Sequence, residues 1–291
     1  MSFFDENQKL FKVNGLVGGE ENGEKNFEIL QKALTECLSG GFSGLALPKG
    51  VYQIYNQKAI YLFECLLNGT INTLDNERWK SEKNIVLDIK GVKNFTIRGD
   101  STKLEFKGMI QPFNFTDCDG IAVENISIDW VNTFYFSADV VAKKANTTYI
   151  VPHKNYAING GEPVVSINSI DSRTGRQGGM ALFENITNIK KEDDNLFSFD
   201  CAEPEHTYVG QSLVLRYLYS YAPVFLYYKC SNIKLENVNV SAGPGMAVVA
   251  QKCNGLSFVR LTVTYSKGRL MSVNCDATHL INCYGTIVYD N

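Results

Sequence analysis

A chain of 291 residues with 44% hydrophobic and 20% charged side chains can bury a sizeable core, which excludes global disorder. Its 28 basic and 31 acidic residues leave a net charge of −3, which argues against nucleic acid or an anionic membrane as partner. No apolar run approaches the ~18 residues of a membrane span, and the start lacks the basic-then-apolar order of a secretory signal, so the cytoplasm is the expected location as the sequence is written.

Eight cysteines without a CxxC pair read as reduced packing thiols. Three histidines, His153, His206 and His279, stand far apart and argue against a metal site, and no cofactor is expected. The 17 Phe and 15 Tyr against 2 Trp suit strands.

Residues 1–24 are polar and glycine-containing, with a short strand near Leu10–Val13. Residues 25–38 form the one convincing helix: Phe27, Leu30, Leu34 and Leu38 recur at helical spacing, and Ser39-Gly40-Gly41 ends it. Gly44 to Tyr52 then reads as strand, Pro-Lys-Gly turn, strand. The positions Asn26, Phe27, Leu30, Gln31, Lys32, Ala33 and Leu34, followed by Leu47, Pro48, Lys49, Gly50 and Tyr52, resemble the entrance to pectin-lyase-like parallel β-helices. In that fold an amphipathic helix covers the open end of the barrel. Gly23-Glu24-Lys25 departs from the Asp-rich turn many such proteins have there.

Internal repeats follow. The runs starting at Cys118, Cys230, Cys253 and Cys283 each place a turn dipeptide before alternating apolar residues, with a weaker copy from Val92. The last copy needs a one-residue slip. Steps of 26 (Val92 to Cys118) and 23 (Cys230 to Cys253) suit one coil of a right-handed parallel β-helix. Stacked coils would set equivalent residues about 4.8 Å apart, turning repeated Cys and Asn into internal ladders.

Two steps break the period. From Cys118 to Cys230 the step is 112, and the strand-like runs at Tyr135–Ala142, Thr148–Val151, Met180–Phe183, Leu196–Phe199 and Leu213–Tyr217 read as an inserted antiparallel β domain. Between Cys253 and Cys283 the step is 30, and Asp276-Ala-Thr-His279 falls in that lengthened coil, where a solenoid often carries its binding face. The expected fold is therefore all-β. It is a right-handed parallel β-helix with an N-terminal capping helix and an inserted small antiparallel β domain. Residues 1–130 make the cap and first coils, 131–221 the insertion and 222–291 further coils.

The candidate site residues have competing readings. Asp276 is a general acid or base, a sugar ligand, or an Asx-turn residue. His279, beside Leu280-Ile281, either packs inward or donates to a substrate. Asp129-Trp130 ends a strand, where Trp130 either stacks on a sugar ring or packs where the insertion leaves the barrel. Arg216 pairs with a carboxylate or with a substrate oxygen. Lys190–Asp194 reads as a solvated turn.

The run Tyr208 to Arg216, the repeat Cys230–Val240, and Gly268 to His279 with Asn282-Cys-Tyr-Gly285 are similar to glycoside hydrolase family 110. This family comprises β-helical exo-α-1,3-galactosidases that remove terminal galactose with inversion, including from blood-group-B-type glycans. The resemblance covers essentially the whole chain, and the run from Ser272 to Gly285 is its most specific piece. It departs at Gln211, where the family tends to be acidic, and at Tyr217, where it tends to have His. The resemblance implies a catalytic role for Asp276 and substrate contacts from His279, Asn274, Arg216, Trp130 and Asp129. The implied partner is a galactose-terminated oligosaccharide, with no nucleic acid and no membrane, and the assembly is compatible with a homodimer.

An inverting glycosidase needs two carboxyl groups about 6.5–9.5 Å apart, one protonating the leaving oxygen and one activating water. The resemblance implies that the companions of Asp276 form an Asp-Asp-Ala-x-Asn run about one coil later, near position ~299 by the repeat step. The chain stops at Asn291, so the expectation is the N-terminal part of a longer enzyme, with little activity alone. The alternative class is a non-catalytic β-helical glycan-binding or scaffold protein. A polysaccharide lyase fits less well, for want of an acidic calcium cluster and a paired Arg or Lys base.

Overall fold

Two parallel sheets and one antiparallel sheet organise the chain. The computed structural model describes residues 9–71, 83–171, 177–181 (backbone only), 186–201 and 207–290. The elements run β1 (Phe11–Lys12), α1 (Gly23–Ser39), β2 (Gly44–Leu47), β3 (Gly50–Ile54), α2 (Gln57–Leu67), β4 (Ile85–Lys90), β5 (Lys93–Phe106), β6 (Gln111–Thr116) and β7 (Asp119–Trp130). Then come β8 (Tyr135–Lys144), β9 (Thr147–Pro152), β10 (Ser166–Ile170), β11 (Gln177–Ala181), β12 (Lys190–Asp193), β13 (Leu196–Asp200) and β14 (Ser212–Arg216). The chain closes with β15 (Phe225–Tyr228), β16 (Ser231–Val240), β17 (Val248–Gln251), β18 (Asn254–Val263), β19 (Thr278–Ile281) and β20 (Tyr284–Asp290).

From β4 onward the chain alternates between the two parallel sheets. One sheet has the order β4-β6-β15-β17-β19, and the other β1-β2-β5-β7-β16-β18-β20, with β3 also on β5. Strands β8 to β14 leave this alternation and form their own antiparallel sheet, β11-β10-β14-β8-β9-β13-β12. The strand run expected at Met180–Phe183 is observed as β11, with 182–183 outside the described residues.

The repeat is a repeat of backbone shape. Lys93, Asp119, Ser231, Asn254 and Tyr284 occupy one register column. Two positions before that column stand Gly91, Asp117, Lys229, Lys252 and Asn282, and one position after it stand Asn94, Gly120, Asn232, Gly255 and Gly285; all ten have positive φ, between 51° and 78°. Gly and Asn are the residues that take this conformation at least cost, which is why they recur at those positions. The one-residue slip in the last copy is observed: Asn254 pairs with Tyr284 but Leu256 pairs with Ile287.

Interior side chains stack in the same register. Phe113 lies on Phe225 at 4.8 Å and Phe115 on Tyr227 at 4.9 Å, both near-parallel. This is the spacing of neighbouring strands. The cysteines are free thiols, and Cys118, Cys230 and Cys253 are buried, each near a backbone carbonyl. The thiol of Cys230 is pushed well above the ordinary range by its hydrogen bonds with Cys118 and then Cys253, and by burial, so it remains protonated. The Asn ladder is also present: Asn237 Nδ2 donates to Asn125 Oδ1 at 2.9 Å.

Helix α1 lays Phe27, Leu30, Ala33, Leu34 and Cys37 against β2, β3 and β4. Its Asn26 is fully buried and accepts from Val17 N while donating to Val17 O and Gln53 O, fixing the approach to the helix. Gly44 approaches β5 so closely that a Cβ would lie 1.9 Å from Thr96 O. Strands β2 and β3 do not reverse at Pro48-Lys49; both run parallel along β5, so that stretch is a bend.

Helix α2 is a second helix beyond the one expected over residues 25–38. Asn56 caps it, accepting from Ala59 N at 2.7 Å, and Ala59, Phe63 and Leu66 form the buried stripe. Its β-prone Ile60-Tyr61-Leu62-Phe63 hides that stripe. Among the described residues no helix is long and apolar enough to cross a membrane.

Candidate functional site

Asp276 and His279 stand at the edge of the five-stranded parallel sheet. Strand β19 pairs only with β17 in that sheet, in the register Val248–Thr278 and Val249–His279. The backbone is fixed to the preceding repeat: Ala247 N donates to Asp276 O at 3.0 Å and Val248 N to Ala277 O at 3.1 Å. On this frame Asp276 Oδ2 lies 3.1 Å from His279 Nδ1, with side chains 59% and 43% exposed. With the proton on Nδ1 the imidazole donates to the carboxylate and turns Nε2 outward. The second carboxylate oxygen has no partner among the described residues, so the pair can accept or deliver a proton at a solvent-facing position.

The lengthened segment lies just before this pair and does not contain it. Val263 pairs with Val240, and Val273 bridges Gly243, so residues 264–272 stand where only Ser241 and Ala242 stand one repeat earlier. Asp276 itself occupies the regular part. The extra loop docks on the antiparallel sheet and its approach. Tyr135 Oη donates to Met271 O, Asn155 Nδ2 to Gly268 O at 3.1 Å, and Ser266 Oγ to Asp129 Oδ2 at 3.1 Å. Arg269 donates to Asp129 Oδ1 at 2.5 Å and to Trp130 O at 2.7 Å.

The other four sequence candidates are interior. Trp130 is 1% exposed, packs on Phe106 and Phe134, and donates its indole N–H to Gly108 O at 3.2 Å. Its ring has no face for a sugar, which corrects the stacking reading. Asp129 is buried under Arg269, Ser266 and Lys103, the last at 3.3 Å, and anchors the loop instead of contacting solvent.

Asn274 is 1% exposed and donates to Leu218 O and Tyr219 O, while its side-chain oxygen has no partner among the described residues. Its backbone carbonyl accepts from Arg216 Nη1 at 2.5 Å. Arg216 is buried, donates from Nε to Ser166 Oγ at 2.5 Å and lies 5.6 Å from the Tyr219 ring. No carboxylate pairs with it among the described residues, so the ion-pair reading is replaced by a link between β14, β10 and the Asn274 backbone. Burial lowers the pKa of its guanidinium, opposed by the neighbouring Cys275 and Tyr219.

The structure thus brings Asp276 and His279 together, buries Asn274 and Arg216 and links them to each other, and puts Asp129 and Trp130 at the far end of the loop. Sequence reasoning missed Arg269, Ser266 and Tyr135 as the residues that hold this loop. The 30-residue step pointed to the stretch but not to what it touches. His206 lies outside the described residues. Among the described residues no group of three or more His, Cys, Asp or Glu has metal-ligand geometry.

The chain resembles bacterial α-1,3-galactosidases along nearly all of its length. It is 25% identical over 288 residues to alpha-1,3-galactosidase A of Shewanella woodyi, covering 92% of this chain and 46% of that protein. It is 24% identical over 299 residues to alpha-1,3-galactosidase B of Bacteroides thetaiotaomicron (90% and 45%) and 22% identical over 306 residues to alpha-1,3-galactosidase B of Parabacteroides distasonis (94% and 47%). No family model matches. The chain spans about half the length of the curated relatives it matches.

Proposed function

We propose that this chain carries part of the machinery of a glycoside hydrolase that removes terminal α-1,3-linked galactose with inversion. The observation that carries the reading is the exposed Asp276–His279 pair, held in register on a sheet edge within a chain that matches α-1,3-galactosidases over 90% or more of its length. In this reading the alternating parallel strands form a right-handed parallel β-helix. Residues 1–130 and 222–291 supply its turns, and 131–221 form an inserted domain. Asp276 is one of the two carboxyl groups that inversion requires. As the bond from the anomeric carbon to the leaving oxygen breaks, one carboxyl gives that oxygen a proton. The other takes a proton from the water attacking the opposite face. His279 orients the Asp276 carboxylate through Oδ2.

The test is galactose release from an α-1,3-linked digalactoside by the polypeptide as its gene encodes it, compared with the variant Asp276→Asn. Loss of a carboxyl acting in proton transfer lowers turnover by about 10²–10⁴-fold. Unchanged turnover in the variant would overturn the role given to Asp276. Binding of the glycan by the unaltered protein without any turnover would favour a non-catalytic glycan-binding module.

A further inference from the structure

Three successive segments stack beside Asp276. Tyr221 N donates to Pro244 O at 2.8 Å, Asn274 N to Gly243 O at 3.2 Å and Cys275 N to Gly245 O at 3.1 Å. Gly245 lets the first segment close on the second: a Cβ there would lie 2.6 Å from Ser220 Oγ and 2.7 Å from Ala222 O. The first and third segments also meet directly at Tyr219. Its carbonyl accepts from Asn274 Nδ2 at 3.1 Å and from Cys275 Sγ at 2.9 Å, so Tyr219 is hydrogen-bonded to the two residues that precede Asp276.

Arg216 fixes the Tyr219 ring and the Asp276 segment together. Its guanidinium carbon lies 5.6 Å from the ring centroid, while Nη1 donates to Asn274 O at 2.5 Å. A buried cation without a carboxylate partner among the described residues is costly to keep, and here it holds an aromatic ring and a backbone carbonyl in one place. The ring is turned to Arg216 on one side, and Tyr219 remains partly exposed. Trp130 offers no such surface. Residues 219–222, 243–247 and 274–279 carry no charged side chain besides Asp276 and His279. A partly exposed aromatic ring beside one carboxylate and one imidazole suits a neutral ligand with an apolar face. Galactopyranose has such a face: its axial O4 leaves the hydrogens on C3, C4 and C5 together on the opposite side of the ring.

We propose that Tyr219 is the aromatic wall of the sugar site at Asp276, its ring stacking on the apolar face of the terminal galactose, with Arg216 behind it as a positioning residue. This rests on the reading that the chain acts on galactosides, and it adds the residue that holds the sugar ring.

The test is calorimetric titration of the Asp276→Asn protein with α-1,3-galactobiose, alongside kinetics of galactose release with Asp276 intact. Tyr219→Ala removes the ring and leaves the carbonyl that holds Asn274 and Cys275. It should weaken binding and raise KM by about threefold to tenfold, with a smaller change in kcat. Tyr219→Phe keeps the ring and should recover most of that loss. A residue serving only the fold would instead lower kcat and the melting temperature together, at constant KM. Should Tyr219→Ala fail to fold, magnetisation transfer from tyrosine ring protons to the galactose hydrogens on C3, C4 and C5, in Asp276→Asn protein deuterated at all other residue types, reads the same contact. Its absence overturns the inference, as do unchanged binding and KM in folded Tyr219→Ala and absence of any galactoside binding. If Asp276→Asn keeps full turnover while binding still depends on Tyr219, the role given to Asp276 fails and this one stands. Asp276-dependent turnover with a KM indifferent to Tyr219 is the reverse.

Discussion

Arg269 closes on Asp129 across 140 positions of sequence, with Nη1 2.5 Å from Oδ1, and its second amino group caps the carbonyl of Trp130 at 2.7 Å. The side chains are only 16% and 8% exposed, so this is a desolvated pair. It fastens the extra loop of the Asp276 repeat to the strand end from which the chain departs into the antiparallel sheet.

Breaking such a pair from one side leaves a buried charge without its partner. Arg269→Met should therefore destabilise the fold by about 3–5 kcal/mol. Lys103, 3.3 Å from Asp129 Oδ2, compensates in part, which puts the expected loss at the lower end. Urea unfolding of the single variants and of Arg269→Met with Asp129→Asn measures it. The double variant should recover part of the loss, because no uncompensated charge remains.

Tyr227 offers a gain. It is fully buried in the aromatic stack over Phe115, and its hydroxyl has no partner among the described residues. Burial is the main cause that holds its pKa well above the usual phenol value, so the hydroxyl stays neutral. Tyr227→Phe keeps the ring and removes an unsatisfied polar group. It should stabilise by about 1 kcal/mol, read from the urea midpoint at unchanged slope. The neighbouring repeat already carries Phe at the register partner, Phe115.

What was legible in the sequence was what repeats or is local. The Cys-x-Asn/Gly columns mark backbone turns with positive φ, and few residue types tolerate them, so the period shows through. Helix α1 shows because its apolar spacing and terminal glycines agree. Burial at the site was not legible. Trp130 and Arg216 lie at strand ends, where alternation no longer tells inside from outside. Their hydrogen-bond partners come from residues 22 to 139 positions away. The lengthened repeat was visible as a number, but only the pairings of Val263 and Val273 locate the extra residues before Asn274.

A pH dependence is expected from Asp139 on β8. Its Oδ1 accepts from Ser212 Oγ at 2.6 Å and lies 3.0 Å from His153 Nε2. Burial raises its pKa, but the hydrogen bonds with His153 and Ser212, with the charge of His153, together outweigh burial and hold the carboxyl below the usual aspartate value. A folded pKa below the unfolded one contributes stability above the unfolded pKa, about 3.9, and that contribution disappears as pH falls through the folded value. The difference in unfolding free energy between the unaltered protein and Asp139→Asn should therefore be present near pH ~5 and shrink below ~4. A difference that grows towards acid would show that the carboxyl is destabilised on folding.

His279 should act on turnover by positioning Asp276. Its Nδ1 lies 3.1 Å from Oδ2, and both residues belong to a segment whose backbone is bonded to the preceding repeat, so the imidazole can restrict only the carboxylate's rotation. His279→Ala frees that rotation and should lower kcat for galactose release by about tenfold, with a smaller change in KM, because an oriented proton-transfer group matters most in the transition state. A Gln at the same position can still donate to Oδ2, so His279→Gln should recover most of the loss. A residue serving only the fold would show a falling melting temperature in step with activity, and a direct substrate ligand would show the loss in KM. Equal kcat in His279→Ala and the unaltered protein would remove His279 from the site while leaving the test of Asp276 independent.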